Sequence, residues 1–397
     1  MPTANSIRSV LFVHHSNDLY GADVVLLETV KGLDRSRFSP LVVLPEDCRH
    51  PGGLAAELEK IQVPFLFCPL AVMRRKYFRA ARVLGYSAEL IRAVRLLARI
   101  IRENNVDLVH SNTLAVWTGA IAARLTGTPH VWHVHEMLVR PAPVRRALHF
   151  LAPRLSSAVV CISEAVRRHV LKDEPASGGK LKVVHNGLPL ENFVPVSDGS
   201  SIRREFGIPA GAPLVGMVGR INHWKGQSVF VEAAQSVLAS FPDANFLVVG
   251  SVFADEVHHL DRLREEVRQA GIEDRFLLSD FRRDISDILA ALDVYVHPAL
   301  LPEPFGLVVL EAMAAGKPVV ATAHGGPLEM IEEGVSGHFV PPADPGALAE
   351  KICACLADPE SSREMGRRAQ ERALRMFSLR RYLDGIESVY EQALGPA

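Results

Sequence analysis

The sequence predicts an α/β protein of two doubly wound, parallel-sheet (Rossmann-like) domains that face a central cleft. Three observations carry this. Short runs rich in Val, Ile and Leu alternate with segments of helical period along the chain. The runs are apolar throughout rather than alternating apolar and polar, which marks strands covered by helices on both faces. A break after His185-Asn186-Gly187, with Pro189, Pro195 and the polar stretch Ser197-Asp198-Gly199-Ser200-Ser201, divides the runs into two sets.

The first set places strands at 10–13, 41–44, 63–67, 108–109, 131–134, 159–162 and 182–185. Helical patterns at 22–33 and 114–125 lie between them, with an amphipathic helix at 86–103. In that helix Leu90, Val94, Leu97 and Ile101 share one face, while Arg92, Arg95, Arg99 and Arg102 share another. The second set places strands at 214–218, 246–249, 276–278, 294–296 and 319–321, and helices at 228–241 and 257–270. The domains are therefore drawn at 1–186 and 187–377, with a last helix from about residue 378 to 394. In sheets of this kind ligands bind beyond the carboxyl ends of the strands.

Composition narrows the classes. A chain of 397 residues with 48% hydrophobic content can bury more than one core. Its five cysteines are not spaced as zinc ligands, which suits a reducing cytosol. No uninterrupted apolar stretch is long enough to span a membrane, and no signal-peptide pattern opens the chain. The net charge of −1 hides an asymmetry, +10 over residues 1–186 and −11 over 187–397.

Three motifs of the second half carry chemistry. Glu303 and Glu311 are separated by seven almost wholly apolar residues, Pro304-Phe305-Gly306-Leu307-Val308-Val309-Leu310. A run of that kind should be buried, and buried segments seldom hold free carboxylates. A helix is expected over 306–315, closed by Gly316 and Pro318, and its N-terminal N–H groups suit a diphosphate. On a helical path the two carboxylates lie about 12 Å apart, the span of a nucleotide-sugar from ribose to hexose. Upstream, Gly219-Arg220 ends a strand and Lys225-Gly226 opens a helix. Arg220 can clamp a phosphate and Lys225 adds a point charge, although a solvated surface loop would show the same residues. The third motif is Ala323-His324-Gly325-Gly326-Pro327-Leu328-Glu329, a tight strand-to-helix turn.

In their order, G-R, K-G, E-x7-E and G-G-x-x-E, these motifs resemble the retaining glycosyltransferases of family 4, which have the GT-B fold. The resemblance covers nearly the whole chain, from Tyr20-Gly21-Ala22 to the final helix. It implies that Arg220 and Lys225 bind the diphosphate of a nucleotide-sugar donor, with Gly219 in the same loop. It implies that Glu303 contacts the donor sugar, that Glu311 contacts the ribose, and that the Phe305–Gly306–Leu307 backbone holds phosphate. The donor domain would be 187–377. The acceptor domain would be 1–186, with helix 378–397 packing back on it. The chain departs from the family pattern at Asp280, at Ala299 and at the single Gly21.

In the first domain the strand-end residues Gly21, Asn112, His133 and His135 are the candidates for the acceptor and sugar side. His133 and His135 point the same way if 131–134 is a strand. His135 best matches the family's strand-end histidine, beside the reacting sugar, and His133 is the second candidate. The implied reaction moves a sugar, with retention, to a glycan or polyprenyl-diphosphate-linked acceptor in cell-surface polysaccharide or glycolipid synthesis. The catalytic candidates are Glu303, His135, Arg220 and Lys225. A nucleotide-sugar epimerase, a hydrolase or a non-catalytic binding protein are the rivals. No metal is expected, because Asp-x-Asp is absent and no His/Cys cluster has ligand spacing. Residues 74–102 carry nine Lys+Arg against Glu89 alone, which suits either a solvated face or an anionic inner membrane surface. A nucleic-acid partner is not expected.

Overall fold

The computed structural model describes residues 7–74, 83–253 and 256–395. The chain divides into two compact units, residues 1–188 with 379–397, and residues 189–378.

In the first unit β1 (Arg8–Val13) leads to α1 (Gly21–Gly32), β2 (Phe38–Pro45), α2 (Gly53–Lys60) and β3 (Phe65–Cys68). Then come α3 (Val83–Glu103), β4 (Leu108–Asn112), α4 (Trp117–Thr126) and β5 (His130–Val134). The series ends with α5 (Ala142–Leu155), β6 (Ala158–Cys161), α6 (Glu164–Asp173) and β7 (Leu181–Val183). All seven strands are parallel, in the order β3-β2-β1-β4-β5-β6-β7. Sequence order reverses direction between β1 and β4, so the crevice beyond their carboxyl ends is the expected ligand position.

In the second unit α7 (Ser200–Glu205) precedes β8 (Leu214–Val218), α8 (Gln227–Ser240), β9 (Asn245–Val249) and α9 (His258–Gln269). Next are β10 (Phe276–Ser279), α10 (Ile285–Ala291), β11 (Val294–His297), α11 (Leu307–Ala314) and β12 (Val319–Thr322). Then follow α12 (Pro327–Met330), β13 (His338–Val340), α13 (Pro345–Ala357) and α14 (Pro359–Met376). The six parallel strands run β10-β9-β8-β11-β12-β13, and the reversal lies between β8 and β11. Local chemistry starts several helices. Ser163 accepts from Val166 N–H at 3.0 Å to cap α6, and Asp344 accepts from Ala347 N–H at 2.8 Å to cap α13.

The final helix, α15 (Leu379–Leu394), belongs to the first unit. It buries Tyr382, Leu383, Ile386 and Tyr390. Tyr390 Oη lies 2.7 Å from His110 Nδ1, and Tyr382 Oη lies 2.6 Å from Thr29 Oγ1. Its buried Glu387 takes a hydrogen bond from Arg37 at 2.9 Å and another from Asp34 N–H at 3.0 Å. A buried carboxylate held this way needs those partners, because an unpaired charge there costs several kcal/mol.

On α3 the two faces separate as the periodicity requires. Val94, Leu97 and Ile101 are buried in the core with Leu11 and Val109, while Arg92, Arg95, Arg99 and Arg102 are exposed. Each such apolar side chain contributes about 1.5–3 kcal/mol of burial. Arg75, Lys76, Arg79 and Arg82 lie outside the described residues.

Candidate functional site

The second unit's reversal point gathers the charged residues. Gly219 and Arg220 follow β8 directly. Asn222 Oδ1 accepts from the Lys225 N–H at 3.1 Å, which shapes the loop before α8. That turn aims Lys225 inward, and its Nζ donates to Glu303 Oε2 at 2.6 Å. His297, the last residue of β11, brings its Nε2 to 3.4 Å from the same oxygen. Burial pushes the Glu303 carboxyl up, but Lys225 and His297 outweigh it and hold the group down at about 2. Glu303 is therefore an ionised acceptor at neutral pH.

Glu311 is the opposite case. It sits on α11 with no cation among the described residues to match Lys225, and burial raises its carboxyl to about 7. The two carboxylates do not share a helical path, because α11 begins only at Leu307. Gly306 stands before it at φ +101, where a side chain is strained, so Glu303 lies in the preceding bend. No side chain caps this end of α11, which leaves its first-turn N–H groups to backbone or ligand partners.

The bend is fixed by the Gly325-Gly326 turn. The Gly326 N–H donates to the Glu303 carbonyl at 2.8 Å. A Cβ on Gly325 would overlap the Glu303 backbone, and one on Gly326 would overlap the Phe305 backbone. Phe305 is buried against Phe377, ring centroids 6.0 Å apart. The Arg220 guanidinium lies over the Phe253 ring at 3.6 Å. Asp280 is exposed, just beyond β10. His297 was not picked out as a site residue by the sequence motifs, and His324, whose Nε2 donates to the Ala299 carbonyl at 2.9 Å, lies in the third motif without a role having been assigned to it. A histidine closing β11 beside the reversal was the available signal.

The first unit's reversal point holds a second polar group. Its members are His14 beyond β1, Asp23 in the first turn of α1, Asn112 ending β4 and His135 beyond β5. His14 Nε2 is 2.6 Å from Asp23 Oδ1, Asn112 Nδ2 is 3.0 Å from His14 Nδ1, and His135 Nε2 is 2.9 Å from Asn112 Oδ1. Asp23 also accepts from Ser16 Oγ and, at 2.9 Å, from Tyr20 N–H. Burial opposes ionisation of Asp23, yet its hydrogen bond from His14 leads the groups that keep it at about 2. Gly21, exposed in the first turn of α1, makes no part of this chain. The Asp23 carboxylate already occupies that helix end.

His133 is buried with its ring 4.1 Å from that of His135, and its Nε2 has no hydrogen-bond partner. Burial holds both imidazoles well below the usual histidine range, so both are neutral. The Glu136 carboxylate takes backbone N–H groups, Leu114 at 2.5 Å and His135 at 2.9 Å, and burial raises it to about 7. Thr113 stands at φ +95, a strained conformation for a β-branched residue. Its N–H bonds to the His133 carbonyl at 2.8 Å, and its own carbonyl accepts from Trp132 Nε1 at 2.7 Å. These two hydrogen bonds hold the strained turn beside Asn112.

His14, His15 and Asp23 offer three ligand atoms within 4.8 Å of one another, a grouping that sequence spacing did not suggest. A cation there would have to displace partners, since both ring nitrogens of His14 are already engaged.

Two parallel α/β units, each with its polar group at the strand-order reversal, define a GT-B glycosyltransferase architecture. The model for glycosyl transferases group 1 matches residues 198–372, and that for Glycosyltransferase Family 4 matches residues 20–192. The chain belongs to this family of glycosyltransferases and is an enzyme of that type. It is 33% identical over 259 residues to the lipopolysaccharide core biosynthesis mannosyltransferase LpcC of Rhizobium leguminosarum bv. viciae, covering 61% of this chain and 73% of that one. It is 30% identical over 317 residues to the alpha-maltose-1-phosphate synthase of Mycolicibacterium smegmatis, covering 73% of this chain and 80% of that one. Among solved structures, Anabaena Alr3699/HepE in complex with UDP superposes with a TM-score of 0.82 at 28% identity, covering 96% of this chain and 99% of that one.

Proposed function

We propose that the protein moves a hexose, with retention, from a nucleoside diphosphate sugar held on the second unit to an acceptor bound on the first. The acceptor is a glycan or a polyprenyl-diphosphate-linked glycan of cell-surface polysaccharide or glycolipid synthesis. The single observation that carries the reading is the Lys225–Glu303 pair beside the uncapped start of α11. Lys225 spends one of its three N–H bonds on Glu303 and keeps two for phosphate. Glu303, held ionised, accepts hydrogen bonds from sugar hydroxyls. The Anabaena neighbour crystallised with UDP and with UDP-glucose, which supports a donor of this class. The Rhizobium relative, a lipopolysaccharide core biosynthesis mannosyltransferase, supports a cell-surface glycan product.

In this reading the bond between the anomeric carbon and the β-phosphate oxygen breaks. Arg220, Lys225 and the first N–H groups of α11 stabilise the charge gathering on the diphosphate. The acceptor hydroxyl attacks on the same face and its proton passes to the departing phosphate oxygen. Metal-free turnover follows from protein cations doing this work. Exposed Arg92, Arg95 and Arg102 support peripheral contact with an anionic membrane. Among the described residues no helix is long and apolar enough to cross a membrane.

Mass spectrometry after incubation with a panel of nucleotide-sugars, with and without lipid-diphosphate glycans, tests the reading. Acceptor-dependent gain of one hexose, surviving excess EDTA, is the expected result. Donor consumption without any glycosylated product would make the protein a hydrolase or epimerase. Loss of transfer on chelation, restored by Mn²⁺, would overturn metal independence.

A further inference from the structure

The hydrogen bonds of the first unit form a chain with only one consistent direction. Asn112 settles it. Its Nδ2 faces the Ala22 carbonyl at 3.2 Å, and a carbonyl can only accept. The amide nitrogen is therefore on the side of Ala22 and His14, and the amide oxygen is on the side of His135. From there each proton is assigned. Asn112 donates to His14 Nδ1, which must be a lone pair. The His14 proton then sits on Nε2 and is donated to Asp23 Oδ1. On the other side the Asn112 oxygen accepts, so His135 carries its proton on Nε2. His135 Nδ1 has no hydrogen bond among the described residues and is not among the sealed, unpartnered polar atoms.

We propose that Asn112, oriented by the Ala22 carbonyl and by a His14 that Asp23 holds in the Nε2–H form, is a positioning residue that locks His135 in the Nε2–H tautomer and leaves its Nδ1 lone pair as the acceptor for a ligand hydroxyl. The anchor of the chain is firm. Asp23 is buried, takes bonds from His14, Ser16 and Tyr20, and can only accept while ionised. His14 and Asn112 are buried as well, so water cannot easily supply a competing proton. The Ala22 carbonyl, at 3.2 Å from its Nδ2, holds the Asn112 amide in register. The use of Nδ1 by a sugar hydroxyl rests on the transferase reading above, whereas the tautomer does not.

Long-range proton–nitrogen correlation spectra of protein labelled with ¹⁵N-histidine test this directly. The His14 and His135 signals are assigned from the spectra of His14→Gln and His135→Gln. In the wild type both rings should carry the proton on Nε2. Asp23→Asn keeps the shape but can place an N–H against His14 Nε2. The Ala22 carbonyl still fixes the Asn112 amide, so the reversal stops at His14 and His135 should keep its proton on Nε2. Asn112→Leu removes the amide, so His14 should keep its proton on Nε2 while His135 shows both tautomers. Since the wrong tautomer spoils an otherwise intact geometry, kcat of Asn112→Leu should fall several-fold while UDP binding by calorimetry is unchanged. A wild-type His135 protonated on Nδ1 overturns the proposal without help from any variant. So does a His135 tautomer indifferent to Asn112→Leu, or one that switches in Asp23→Asn. If the tautomers behave as stated but His135→Gln transfers sugar at the wild-type rate, the lock stands and the use of Nδ1 in transfer falls.

Discussion

Glu303 and Glu311 lie in one unit and both are penalised by burial, yet one carboxyl is held down at about 2 and the other is raised to about 7. The difference is Lys225, 2.6 Å from Glu303, with no counterpart among the described residues beside Glu311. Lys225→Ala or Arg220→Ala should therefore weaken UDP binding as well as turnover. A lost hydrogen bond to a charged group costs roughly 1.5–3 kcal/mol, about tenfold to hundredfold in affinity. Glu303→Gln should lower transfer while sparing the free nucleotide. Unchanged calorimetric affinity in both cation variants would remove them from the diphosphate site. Glu311 predicts a pH dependence. Its folded carboxyl at about 7 lies above the ordinary 4.5, so its contribution to stability is full below 4.5 and lost as pH rises through 7. In the proposed donor site the ionised form is the stronger acceptor for a ribose hydroxyl. UDP affinity should rise between pH 6 and 8, by up to about tenfold per unit below 7, and Glu311→Gln should flatten that slope. A slope that persists in the variant would assign it to another group. The motif residues Lys225, Glu303 and Glu311 were legible because each lies in a short, ordered signature. His14, Asp23 and His297 were not. Asn112 meets His14 across 98 positions, a pairing that only the order of β1 beside β4 creates.

At the scale of elements, the turn at Gly325-Gly326 does more than reverse the chain. It lays one loop against the backbone of Glu303 and Phe305, so the carboxylate's position depends on two absent side chains. Gly326→Ala must push Phe305 aside and should cost roughly 1–3 kcal/mol of stability in a packed site. It should also lower transfer more than the folded fraction alone explains. Thermal unfolding and kinetics on the folded protein check this, and an unchanged melting temperature would show that the loop moves freely. Continuous apolar runs made twelve strands legible. β13, three residues from His338 to Val340, escaped because it is too short for a pattern and two of its members are only half buried. The expected helix over 306–315 runs from Leu307 to Ala314, with Gly306 as its cap at positive φ, and Glu303 lies in the bend before it rather than on a helical path shared with Glu311. Periodicity cannot see where a glycine breaks a helix.

At the scale of the whole molecule, charge separates along the chain, +10 over residues 1–186 against −11 over 187–397. Part of the basic excess is already neutralised. Arg74 donates to Asp47 at 2.9 Å, and Arg99 pairs with Glu103 at 2.6 Å. Arg92, Arg95 and Arg102 on α3 stay exposed, with Ile91, also exposed, beside them. Each cation close to an anionic bilayer contributes about 1 kcal/mol, screened over about 8 Å at physiological salt. Three together suffice for reversible binding but not for insertion. Wild-type protein should cosediment with vesicles containing anionic lipid, stay in solution with neutral vesicles, and leave the anionic ones at high salt. Reversing Arg92, Arg95 and Arg102 to Glu should abolish cosedimentation while UDP binding on the second unit is kept. Arg99 is left intact because reversal would set a new carboxylate against Glu103 and weaken the helix for an unrelated reason. Equal sedimentation with neutral and anionic vesicles, or with neither, would leave the basic face of α3 as a solvated surface.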